Sequence, residues 1–213
     1  GGRQLAASPA IHGQRGASGC ALPHTGRGVV MRGLLLLLLM LTAGGARAGE
    51  WVIDHANSRL GFEATQSGAT FSGEFQRFDA TMRFDPQALD QAVFDVTVDV
   101  TSFDSNSSDR DSTVAGKDWF WFKRFPKARF RTQSFRSLGD QRYEAVGALT
   151  IKGIRQDITL PFTWVIDGDI ATMRGDVTLK RTAFNVGEGE WADGDTVGLN
   201  VDVQVRLKLT RVE

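Results

Sequence analysis

From Trp51 onward, apolar and polar residues alternate with a period of two, and few eleven-residue stretches carry helical spacing. Leu60, Phe62 and Ala64 alternate with Arg59, Gly61, Glu63 and Thr65, and Gln66-Ser67-Gly68 supplies a turn before Phe71, Gly73 and Phe75. Ala80, Met82 and Phe84 share one face of the next strand, which ends at Asp85-Pro86. Phe94, Val96, Val98 and Val100 oppose Asp95, Thr97 and Asp99, the signature of a strand with one face in a core and the other in water. Alternation returns through Phe130 and Thr132 to a turn at Gly139-Asp140, and again from Tyr143 to Ile151. Lys152-Gly153 links to Ile158, Leu160, Phe162 and Trp164, and Asp167-Gly168 then marks a hairpin. Ala171, Met173, Gly175, Val177 and Leu179 form the return strand, and Leu199 to Leu209 make the longest alternating run. About eight or nine strands result.

Residues 104–127 interrupt this pattern. A polar loop over Asp104 to Asp109 precedes residues 117–127 (KDWFWFKRFPK), whose aromatic side chains predict a single helical turn. Sequential hairpins favour an all-β fold, an antiparallel up-and-down barrel of eight strands with one short helical insertion, because closure removes exposed sheet edges. A barrel of that size is filled by its side chains or holds one elongated ligand. Gly61, Gly73, Gly147 and Gly175 fall inside strand patterns, where they mark bends or a wall left open.

Charge changes the picture once the chain is divided. The 213 residues carry 25 basic and 25 acidic side chains, but residues 1–48 hold five arginines and no acid. Residues 49–213 are therefore acidic, at 20 basic against 25 acidic, and contain every aromatic residue. Met31-Arg32, the apolar run Leu34–Leu41 and Ala46-Arg47-Ala48 have the order of a Sec signal peptide, with cleavage expected near Ala48-Gly49 and a periplasmic destination. The run is too short to span a bilayer. Residues 1–30, rich in Gly, Ala, Ser and Arg, read as an upstream extension or disordered leader. The working domain is then 49–213, which lacks cysteine and keeps one histidine, His55. Thiol chemistry, disulfides and Cys/His metal sites lack their atoms there, no cofactor is implied, and an acidic domain is a poor nucleic-acid partner.

Inward positions include Phe62, Phe71, Phe75, Phe84, Phe94, Phe130, Phe162 and Trp164, with Met82 and Met173 as adaptable fillers. These rings line an apolar tube or simply fill the core. Trp119, Phe120, Trp121 and Phe122 cannot all point inward from one turn, so they form a lid over a cavity mouth or a plug at one end. Lys117, Lys123, Arg124, Lys127, Arg129, Arg131 and Arg136 surround them, a patch suited to an anionic head group, to transient contact with a membrane surface, or to a solvated strand face. His55 has Asp54 and Ser58 nearby but no nucleophile elbow, so catalysis is not expected. The acids and glycines of residues 187–195 do not match a calcium loop.

Several segments together resemble the YceI family: Trp51-Val52-Ile53-Asp54, Ser58 to Phe62, Gly73-Glu74-Phe75, Asp118-Trp119-Phe120, Arg124 to Phe130, Gly147 to Gly153, and Glu190-Trp191 with Val197. The resemblance implies a lipocalin-like barrel in the periplasm that binds polyisoprenoids or similar amphiphiles, such as a polyprenyl or quinone-like lipid, without enzymatic activity. On that reading the ligand-lining residues are the ten inward positions above with Trp119 and Phe120. Arg110-Asp111 continues as Ser112-Thr113-Val114, where many relatives carry a Glu-His-Leu-like segment. A different class of function, a filled barrel docking to a membrane or electron-transfer partner through its aromatic-basic segment, stays open.

Overall fold

The computed structural model describes residues 49–212; the leader and signal segments read from the sequence lie outside them. Eleven strand segments form one sheet: β1 (Glu50–Ile53), β2 (Arg59–Gln66), β3 (Ala69–Phe75), β4 (Phe78–Arg83), β5 (Val93–Asp99), β6 (Phe103–Asp104), β7 (Lys127–Gly139), β8 (Arg142–Ile151), β9 (Ile154–Asp167), β10 (Ile170–Lys180) and β11 (Asn200–Arg211). All pairings are antiparallel, and β11 closes the sheet by pairing with β2 along 202–206 and with β1 along 209–211.

The eleven segments make eight staves. β1 and β2 run consecutively along β11, β4 and β3 pair with β1 and β2 in turn, and β5 and β6 pair with β4 and β3. The first three staves are thus single strands, each broken once. Polar residues hold the breaks: Asp99 accepts from the Thr101 amide, Ser102 Oγ donates to the Asp99 carbonyl, and the Arg77 amide donates to Ser102 Oγ at 2.9 Å. The result is an eight-stranded up-and-down barrel, as the alternation predicts, with more segments because each break interrupts a ladder without changing the order of staves.

Four connections are two-residue hairpins. Ser67-Gly68, Asp140-Gln141 and Lys152-Gly153 all have positive φ, the twist that suits tight antiparallel turns, and Gly168-Asp169 has it at the glycine. The second of these turns lies one residue beyond Gly139-Asp140, because Gly139 still pairs with Arg142.

The inserted helix also differs from expectation. α1 spans Ser108–Val114, inside and just beyond the polar loop, while residues 116–125 form successive turns. Asp109 and Asp111 lie in its first turn, and Gly116 lies just beyond its end. Bulky aromatics at 119–122 find separate packing sites and do not extend the helix.

The interior is divided lengthwise. At one end, Trp51, Phe84, Phe94, Phe135, Tyr143, Phe162 and Trp164 form a close-packed plug. Trp51 and Trp164 meet edge-on at 5.4 Å, Phe84 lies 4.8 Å from Trp164 between ring centroids, and Trp51 Nε1 donates to the Phe84 carbonyl at 2.9 Å. Burial raises the Tyr143 phenol above its ordinary pKa. The other end, which carries α1, holds a second cluster of Val114, Trp119, Phe184, Val186 and Val197. Between the two the barrel is hollow.

Three of the four strand glycines reflect close approach, whereas a Cβ on Gly61 would meet nothing nearer than 3.5 Å. A Cβ on Gly73 would run into the Phe62 ring and the Asp104 carbonyl; one on Gly147 would lie 2.5 Å from the Arg131 carbonyl, beside the register shift at Thr132/Ser134. Gly175 is similarly confined by the Pro161 carbonyl at 2.9 Å. They tighten the wall and do not open it.

Candidate functional site: an apolar cavity with one polar end

The hollow half encloses about 470 Å³. Its walls are the inward positions of the staves: Leu60, Phe62 and Ala64 from β2, Val96 and Val98 from β5, and Val201, Val203 and Val205 from β11, among others. Its floor is where lining and plug coincide, at Ile53, Met82, Phe94, Met173 and Leu207.

Of the twelve residues expected to line a ligand site, nine line this cavity: Phe62, Phe71, Phe75, Met82, Phe94, Trp119, Phe120, Phe130 and Met173. Phe84, Phe162 and Trp164 do not. They point inward, but beyond the floor, where they stack on Phe94, Phe135 and Tyr143. Period-two alternation reports which face a residue occupies and not how far along the barrel it lies, so it could not separate plug from tube.

Every charged or strongly polar residue of the lining sits at the helix end: Gln66, Ser107, Asp109, Arg110, Thr113 and Arg181. Asp109 and Thr113 are exposed, which makes this end the mouth. The Arg110 guanidinium lies 4.4 Å above the centroid of the Phe71 ring. It donates from Nε to Ser105 Oγ and from Nη2 to the Ser105 carbonyl, whereas Nη1 reaches only Gln66 Oε1 at 3.5 Å.

Arg181 is the principal residue that the sequence reading missed. It is 4 % exposed and donates to five carbonyls, those of Val186, Gly187, Trp191, Val197 and Gly198. Burial pulls its pKa down from the ordinary value, against an opposing pull from Asp193. Its guanidinium also sits 5.3 Å from the Trp119 ring, so one side chain ties residues 186–198 to the aromatic segment. A signal was present: 171, 173, 175, 177, 179 and 181 share one parity, which points Arg181 inward.

The four consecutive aromatics part company because Trp121 adopts φ 54°, a left-handed conformation that reverses the chain. Trp119 is buried beside Trp191, and Phe120 reaches Phe75 and Phe103, so both help close the helix end. Trp121 packs instead on Phe125, with Lys117 and Arg124 over its ring. The expected cationic patch also divides: Arg129 and Arg131 face Asp95 on the outer wall, and Arg136 pairs with Glu144. His55 lies in the break between β1 and β2, exposed, with its ring on Phe78. Ser58 Oγ is engaged with the Lys208 backbone.

The YceI-like domain matches residues 51–209. The chain belongs to the YceI family. Among solved structures, it is similar to Burkholderia cenocepacia BcnA, with 36% identity and a TM-score of 0.71 over 73% of this chain and 98% of that one. A UPF0312 protein of Pseudomonas putida is 27% identical over 180 residues, covering 80% of this chain and 93% of the relative. A polyisoprenoid binding domain from Saccharophagus degradans shares the fold at 11% identity, with a TM-score of 0.61 over 77% of this chain and 99% of its own.

Proposed function

We propose that this YceI-family protein sequesters or carries an isoprenoid-type lipid, polyprenyl or quinone-like, in the periplasm, without turning it over. The observation that carries this reading is the lengthwise division of the barrel into a plugged half and a hollow half whose polar groups all lie at one end. Such a tube matches an amphiphile with one long apolar tail and one polar head. Affinity comes from area: at about 0.8 kcal/mol per buried methylene, a tail of some tens of carbons gives a large hydrophobic gain. An apolar cavity of about 150 Å³ holds a benzene ring. By proportion, 470 Å³ holds roughly 20 carbons, or about four isoprene units. The Saccharophagus degradans domain with this fold is named for polyisoprenoid binding, which supports the choice of ligand class. Loading from a membrane surface would use the helix end, where Trp121, Lys117 and Arg124 lie together.

Native mass spectrometry of protein purified from a periplasmic extract, followed by organic extraction, tests this reading. A stoichiometric prenyl lipid released on extraction supports it. Protein that is ligand-free as isolated and does not take up geranylgeraniol when titrated rules it out.

A further inference from the structure

The cations at the cavity mouth are not those of the patch singled out in the sequence. Arg110 and Arg181 alone bring positive charge to the lining, and neither has a carboxylate within ion-pair distance among the described residues. Arg181 has its donors committed to carbonyls. Arg110 has not: its Nη1 makes one bond at the 3.5 Å limit, too long to satisfy a guanidinium donor. Trp119 also lines the cavity, but its indole N–H is packed against the protein and presents no surface to the hollow.

The two arginines are linked around one rim: Arg110 reaches Gln66, Gln66 bridges to Val197, and the Val197 carbonyl accepts from Arg181. A guanidinium is a donor-only group, so what Arg110 Nη1 lacks is an acceptor. The carboxylates nearby do not supply it. Asp111 accepts from Ser105 on the Nε side of Arg110, and Asp109 is exposed at the rim, where water screens it.

We propose that the cavity selects amphiphiles whose head group is an oxyanion, a carboxylate or a phosphate monoester, bound at the helix end by Arg110 Nη1. The proposal rests on the lipid-binding reading and adds to it the chemistry of the head. The tail then runs from the mouth to the floor at Met82 and Met173.

Calorimetric titration of the purified protein with three C20 prenyl compounds, geranylgeraniol, geranylgeranyl monophosphate and geranylgeranoic acid, tests it. Charge-assisted hydrogen bonds imply that at least one acid binds about tenfold or more tightly than the alcohol. If only the phosphate shows this gain, the site is a phosphate site; if only the carboxylate does, it is a carboxylate site. Arg110→Gln is expected to abolish the preference while the alcohol still binds, and Arg110→Lys to keep part of it. Equal binding of alcohol and acids by the unmodified protein, or a preference that survives in Arg110→Gln, overturns the head-group proposal and leaves the carrier reading standing. Failure of all three compounds to bind overturns both.

Discussion

The plug makes the cavity a tube of fixed depth, and Met82 is the side chain through which that depth can be changed. It is 1 % exposed, belongs to the plug cluster and lines the floor. In the unmodified protein, extending a prenyl tail from three to four isoprene units buries five more carbons, worth up to about 4 kcal/mol or a thousandfold in affinity. A fifth unit finds no room in 470 Å³ and adds little. Met82→Ala removes three heavy atoms and deepens the floor by room for roughly three carbons, so a C25 tail should gain about 2.4 kcal/mol, near fiftyfold, over its affinity for the original protein. The substitution should also lower stability by about 2–5 kcal/mol, visible as a reduced Tm for the empty protein. Competition titrations with C15, C20 and C25 prenyl alcohols measure the break directly. A wild-type affinity that keeps climbing from C20 to C25, or a Met82→Ala profile identical to wild type, would refute a rigid floor.

Plug and tube can be told apart by a pair of substitutions: Phe162→Ala should cost about 3–5 kcal/mol of stability while leaving C20 affinity within about twofold, whereas Phe62→Ala should weaken C20 binding by about tenfold or more. Arg181→Met strips partners from five carbonyls, so it should destabilise by roughly 3 kcal/mol or more and speed amide exchange across residues 186–198; unchanged protection there would show that the loop does not depend on it. The hydrogen bond from Arg129, aided by its charge, holds the Asp95 carboxyl below its ordinary value of 3.8. A depressed folded-state pKa stabilises above the unfolded value and is lost as pH falls through the folded one. Asp95→Asn should therefore cost under about 1 kcal/mol at pH 7, and the difference from wild type should vanish in strong acid; a gap that persists there contradicts the assignment.

Much of this architecture is legible in the alternation. Leu60, Phe62 and Ala64, or Val201 through Leu209, show their inward faces in the sequence because a pleated strand with one wet face must repeat every two residues. The turns at Ser67-Gly68 and Lys152-Gly153 are equally plain, since positive φ leaves few residue choices. What alternation omits is position along the barrel axis. Phe62 and Phe162 read identically, yet one lines the hollow half and the other fills the plug, because stagger between staves is set by pairing register and not by pattern. The helix was misplaced for a related reason: aromatic crowding at 119–122 reflects tertiary packing sites, while the weaker local signals at Asp109 and Asp111 mark the actual turn. Arg181 escaped notice because a charged residue at the end of an apolar run reads as the strand emerging into solvent.

Isotope-filtered NOE spectroscopy on the protein saturated with a 13C-labelled C20 prenyl ligand reports where the tail sits. Cross-peaks from the tail to Leu60, Val203, Val205 and Met82, with none to Ala145 or Tyr143, are the pattern of a chain held in the hollow half. Cross-peaks to Ala145 and Tyr143, or only to the exposed Val52 and Val165 on the outer wall, would mean that the hydrocarbon passes the plug or never enters the barrel.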